Sequence, residues 1–129
     1  MKTLNRDDIL GASDIRKEKV KAWGGEVWVR GMTGAERDRF ESSVIQFKGS
    51  SQNLNLSNIR AKLCALTICD ESGTRLFNEA DVQALGEKSA VELSKVFIVA
   101  QRLSGITDAD VKELSEGLKE NPFEDSASA

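Results

Sequence analysis

Histidine is absent from this chain. Its absence removes the commonest general base and the commonest nitrogen ligand for metals. A Ser or Cys nucleophile would have to use Lys, Asp or Glu as its base. The patterns that accompany such chemistry are missing too: there is no G-x-S-x-G, no S-x-x-K and no phosphate loop. Gly24-Gly25 lacks the following lysine and helix that cradle phosphate. Carboxylates are plentiful, but they fall at helix starts and in turns, where capping and the helix dipole account for them. The expectation is a protein that is not an enzyme and holds neither cofactor nor metal.

Cysteine is scarce. Cys64 and Cys69 lie five residues apart in a helical pattern, about 500° of rotation at 3.6 residues per turn, so they point to different sides. A disulfide between them would break the helix. Two reduced cysteines acting as small hydrophobes are the plainer reading. The aspartate-led turn Asp70-Glu71-Ser72-Gly73 lacks the alternating ligands and closing glutamate of a calcium loop. Aromatics make up only 5% of the chain, so the core is aliphatic. No run approaches the roughly 20 apolar residues of a membrane span. The start, Met-Lys-Thr-Leu-Asn-Arg-Asp-Asp, has no signal-peptide apolar region. The expected location is the cytoplasm, away from any membrane.

What is present fits one domain of 129 residues, 40% hydrophobic and 30% charged. Residues 1 to 64 hold 12 Lys/Arg and 8 Asp/Glu; residues 65 to 129 hold 6 and 13. This asymmetry reads either as solvated surface or as an aid to head-to-tail self-association.

The chain is organised around the stretch from Trp23 to Glu41. Gly24-Gly25 is a tight-turn signal. A hairpin folded there sets Trp23 opposite Glu26, Ala22 opposite Val27, Lys21 opposite Trp28 and Val20 opposite Val29. Val20, Ala22, Val27 and Val29 then share a face fit for a core, because directly opposed side chains lie on one side. The second face carries Lys19, Lys21, Trp23, Glu26, Trp28 and Arg30. Of these, Lys21, Trp23, Trp28 and Arg30 are the candidate protein-binding residues, since exposed Trp flanked by cations suits a partner surface. Helices packed on both sides of the hairpin would instead bury the tryptophans. Single-stranded nucleic acid would also suit the face, although a net charge of −3 weighs against it.

Helix boundaries follow from caps. Asn5 with Asp8, Thr33 with Glu36, Asn78 with Asp81 and Thr107 with Asp110 have capping spacing. Gly11, Gly86 and Gly105 mark stops. Phe40, Val44 and Phe47 form the apolar face of the helix after Thr33. A central helix is expected over about 57–70, carrying Ile59, Leu63 and Leu66. A long helix over about 88–104 carries Leu93, Val96, Phe97, Ala100 and Leu103 on one side. The last helix carries Val111, Leu114 and Leu118, and Pro122 prevents its continuation. The expected fold is α+β: a mostly helical single domain over 1–120, with an N-terminal antiparallel β-hairpin and at least four helices. A disordered tail is expected over 121–129.

Trp23-Gly-Gly-Glu-Val-Trp-Val-Arg-Gly-Met-Thr-Gly-Ala-Glu-Arg-Asp38 resembles the N-terminal segment of tail assembly chaperones of long-tailed, siphovirus-type bacteriophages. Asp70 to Phe77 and Asp81 to Ser89 resemble that family's middle, and Ala100 to Val111 its end. The resemblance runs in matching order over about residues 5 to 116, leaving 39 to 58 and 118 to 129 without a good match. It implies a cytoplasmic, homo-oligomeric chaperone that keeps the tape measure protein soluble until tail tube subunits polymerise around it, and that is absent from the mature virion. Such families often make a longer frameshifted product, which would contact the tail tube protein, and this chain resembles the short product. The alternative is a structural tail or head–tail joining protein retained in the particle. The resemblance carries over no functional residues.

Overall fold

A computed structural model describes residues 1–49, 56–107, 109, 110, 112 and 113, with 44–49 and 56–58 described by backbone alone. Five α-helices and a three-stranded antiparallel sheet are seen among them, which is the expected α+β class with its N-terminal hairpin. In order these are α1 (Arg6–Leu10), β1 (Lys17–Ala22), β2 (Gly25–Arg30), α2 (Gly34–Gly49), α3 (Leu56–Thr67), β3 (Ile68–Cys69), a 3-10 turn (Glu79–Asp81), α4 (Val82–Gly86) and α5 (Ala90–Leu103).

The capping pairs fall where their spacing predicts. The Asn5 side chain accepts the Asp8 N–H at 2.9 Å, and the Asp8 carboxylate accepts the Asn5 N–H at 3.1 Å. Thr33 and Glu36 exchange the same two bonds at 3.1 and 2.9 Å. Asn78 accepts from Ala80 while Asp81 accepts from Asn78, which starts the 3-10 turn. Thr107 and Asp110 make the reciprocal pair as well. Val111, Leu114, Leu118, Pro122 and the tail lie outside the described residues, as do the side chains of Val44 and Phe47.

The hairpin register differs from expectation. Val20 pairs with Val27, Lys19 with Trp28 and Lys21 with Glu26, so the turn is Trp23-Gly24 and not Gly24-Gly25. Trp23 has φ 52° and Gly24 has φ 75°, the two positive values that a type I′ turn needs. The slip is by two residues. Side chains alternate with a period of two, so the paired strand residues keep their faces, while Trp23 passes into the turn. Val20, Ala22 and Val29 are buried, and Lys17, Lys19 and Lys21 are exposed. Long-range contacts fix the register. The Gly31 N–H donates to the Arg16 carbonyl at 2.9 Å, and β2 also pairs Trp28 with Cys69 and Val29 with Ile68.

The third strand corrects the expected central helix. That helix stops at Thr67, three residues short of the expected end. The Thr67 hydroxyl donates to the Leu63 carbonyl at 2.7 Å, a back-bond that weakens the last helical turn. Ile68 and Cys69 then find sheet partners instead of helical ones, so Cys69 is not helical. Both cysteines are buried and free.

The core lies between the inner face of the sheet, α5 and α3. Val29, Ile59, Leu63, Ile68, Leu93 and Val96 are almost wholly buried there. α5 lies across β1 and β2, while α3 packs on α5 and α4. Leu93, Val96, Phe97 and Ala100 face inward as their spacing predicts, and Phe40 of α2 joins them. The end of β2 passes so close to α5 that a Cβ on Gly31 would stand 2.5 Å from the Leu103 carbonyl oxygen.

Candidate partner-binding site

The outer face of the sheet holds Trp28. Its indole is half-buried, with Lys17 Nζ 5.0 Å and Lys19 Nζ 5.3 Å from the ring centroid. Their ammonium groups are near enough for attraction to the ring's negative face. Lys17 also donates to the Glu71 carbonyl. The expected neighbour, Lys21, stands instead across from Glu26, nearer the turn. Arg30 is committed elsewhere: Nη1 donates to Glu36 Oε1 at 2.9 Å and Nη2 to Oε2 at 2.6 Å. Burial pushes the Glu36 pKa up, but the bonds from Arg30 and Thr33 outweigh it and hold the carboxyl below its usual range. The same pair raises the pKa of Arg30. Cys69 is the sheet partner of Trp28 and is buried. Burial raises its thiol pKa, against the charges of Arg30 and Lys17.

Trp23 does not share that face. From its place in the turn it lines an apolar groove of about 340 Å³ with Val27, Ile68 and α4. Ile68 and Leu85 are buried and form the floor, and Phe77 is half-buried beside them. Trp23 and Leu76 stand at the edges, 38% and 55% exposed. Asp81 and Lys88 add one charge of each sign to the lining. Asp81 is engaged with Asn78, whereas Lys88 is exposed and has no ion-pair partner among the described residues. The Glu92 carboxylate secures the turn. Lys95, 2.9 Å away, lowers its pKa most, and the Trp23 backbone N–H contributes.

The four expected residues are therefore divided. Trp28 and Arg30 lie on the outer face, Lys21 toward its end, and Trp23 across the sheet edge in the groove. Sequence reasoning passed over Leu76 and Phe77 as a binding surface. The available signal was two large apolar residues side by side in a stretch otherwise rich in turn formers.

Such a groove can bury apolar side chains of a partner, with charge only at its margin. No group of three or more His, Cys, Asp or Glu among the described residues could hold a metal. No described helix is long and apolar enough to cross a membrane. No protein-family model, curated protein or solved structure matches the chain. The local chemistry and the segment resemblance are what bear on function.

Proposed function

We propose that this chain is a bacteriophage tail assembly chaperone. In this reading it works in the host cytoplasm, binds the tape measure protein in the groove beside Trp23, and is left out of the finished virion. The observation that carries the reading is the apolar groove with Trp23 and Leu76 exposed at its edges. A long helical client exposes stripes of apolar side chains at i, i+3, i+4 and i+7, and a groove of this kind receives such anchors. Each contact is small, so many copies along the client would supply the retention. The ordered resemblance from Trp23 to Val111 supports the same assignment. A longer frameshifted product would bring the tail tube protein to the same client.

Co-expression with the tape measure protein tests the reading. Leu76→Asp places a charge at the groove edge while removing no core residue. It is expected to leave the fold intact and send the client to the insoluble fraction. A client equally soluble with Leu76→Asp and with the native chain refutes the groove reading. Finding the chain as a stoichiometric part of purified virions refutes the chaperone assignment and favours a retained tail or joining protein.

A further inference from the structure

The sheet order β1-β2-β3 leaves one side of β1 without a neighbouring strand. In an antiparallel pair, the N–H and C=O of alternate residues point toward the partner strand, and those between point away. The Gly31 N–H donates to the Arg16 carbonyl, while Glu18 stands across from Val29 and Val20 from Val27. Arg16, Glu18 and Val20 therefore turn their backbone groups toward β2. Lys17, Lys19 and Lys21 turn theirs outward. Among the described residues, no backbone bond reaches these outward groups. They stand in line over about 14 Å, a ready template for another strand.

The side chains beside this edge are mostly cationic. Lys17, Lys19 and Lys21 are exposed on the outer face. Lys19 and Lys21 have no ion-pair partner among the described residues. On the inner side α5 lies alongside. Its Arg102 bonds to Glu18, and its Lys95 lines a hollow with Lys21 and Ala22. Ile98 shares that helix face by its spacing from Lys95 and Arg102, and it is 64% exposed. We propose that β1 takes an extended acidic segment of a partner protein as an added antiparallel strand, with carboxylates opposite Lys17, Lys19 and Lys21 and apolar side chains turned toward Ile98.

Charge and backbone together select this occupant. Directly opposed side chains share a face, so carboxylates at alternate positions of the added strand meet the three lysines. The β1 strand of a second copy would set lysine beside lysine, and like charges across a pair destabilise it. A nucleic-acid strand would suit the ammonium groups, but its phosphates would meet the outward carbonyls of β1, which repel them. A polypeptide alternates donor and acceptor at the spacing of the edge. The edge lies on the far side of the sheet from β3. It is therefore separate from the groove that Ile68 floors, and the inference does not rest on the chaperone reading.

Titration of the full chain with an end-capped heptapeptide of alternating Val and Glu tests it, read by calorimetry and by amide hydrogen exchange in NMR. At saturation the amides of Lys17, Lys19 and Lys21 are expected to become protected. Those of Glu18 and Val20, already turned to β2, should change little. Methylating the backbone nitrogens of the peptide's Glu residues removes its donors and keeps its charge. That peptide is expected to bind at least about tenfold more weakly. The double variant Lys19→Glu with Lys21→Glu should weaken the parent peptide by a similar factor, and both positions are exposed. Lys19→Gln with Lys21→Gln replaces it if the charge reversal disturbs the fold. Added salt should also weaken binding, since the contact lies at the surface. The proposal is overturned if the parent peptide does not bind, if the methylated peptide binds as well as the parent, or if exchange at the three lysine amides is unchanged. An oligothymidylate of equal charge that binds more tightly than the peptide would overturn it too, and would assign the face to nucleic acid.

Discussion

Trp23 occupies a backbone conformation that its side chain disfavours. At φ 52° its Cβ is crowded by the following carbonyl, at a cost of about 1–2 kcal/mol for an L-residue. Contact of the ring with the groove offsets that cost. The prediction is a reversed ranking. Trp23→Gly and Trp23→Ala both lose the ring, but glycine adopts positive φ freely, so the Gly variant is expected to be more stable than the Ala variant by about 1 kcal/mol. In most positions alanine would be the more stable of the two. Urea denaturation of both variants checks this; a higher midpoint for Trp23→Ala would mean that the turn relaxes out of the left-handed region. Trp23 could be picked out from the sequence as a residue of interest. Its place in the turn could not, because Trp23-Gly24 and Gly24-Gly25 preserve the same faces and differ only in long-range pairing.

At the scale of elements, the end of β2 and the end of α5 meet closely. Gly31 lies against the Leu103 carbonyl, and the next residue, Met32, donates its N–H to Ser104 Oγ at 3.1 Å. A methyl at Gly31 has no room unless the strand end and the helix separate. Gly31→Ala is expected to lose about 1–3 kcal/mol of stability, read as a lower urea midpoint. An unchanged midpoint would show that this crossing yields at little cost. The capped starts of helices were legible because caps are local: Thr33 and Glu36 need only each other. β3 was not legible. Ile68 and Cys69 continue an apolar run that a helix would accept equally well, and the edge of β2 that recruits them is nearly forty residues earlier in the chain.

The whole molecule should have a broad pH plateau. Glu18, Glu36, Asp70, Glu92 and Asp110 all have lowered pKa values in the fold. For Glu36 burial acts the other way and is outweighed by Arg30 and Thr33. A carboxyl lowered in the fold stabilises above its unfolded pKa, so stability falls as pH drops through 4.5 and below. At the other end, burial pushes the Cys64 thiol up to about 12 from 9.0, against the opposing charge of Arg60. The unfolded thiol ionises first, so stability is present below 9.0 and is lost as pH rises from there toward 12. With no histidine, no side chain is expected to bend the plateau between these limbs. Urea midpoints across the pH range check the shape. Glu36→Gln should flatten the acid limb and Cys64→Ala the alkaline one, each with a lower plateau. A steep change near neutrality would contradict the account.

The sequence by itself determined the α+β class, the four capped helix starts, and the inward faces of the hairpin and α5. Each depends on residues a few positions apart, where backbone period and local hydrogen bonding leave little choice. Only the tertiary structure decided the hairpin register, the third strand and the binding surface. Lys19 rather than Lys21 faces Trp28 because the register answers to β3 and Arg16, not to the glycines of the turn. Trp23 and Leu76 meet at one groove because β3 brings the segment after Cys69 back beside the hairpin. Burial and convergence of residues distant in sequence arise when elements pack, and no local pattern encodes them.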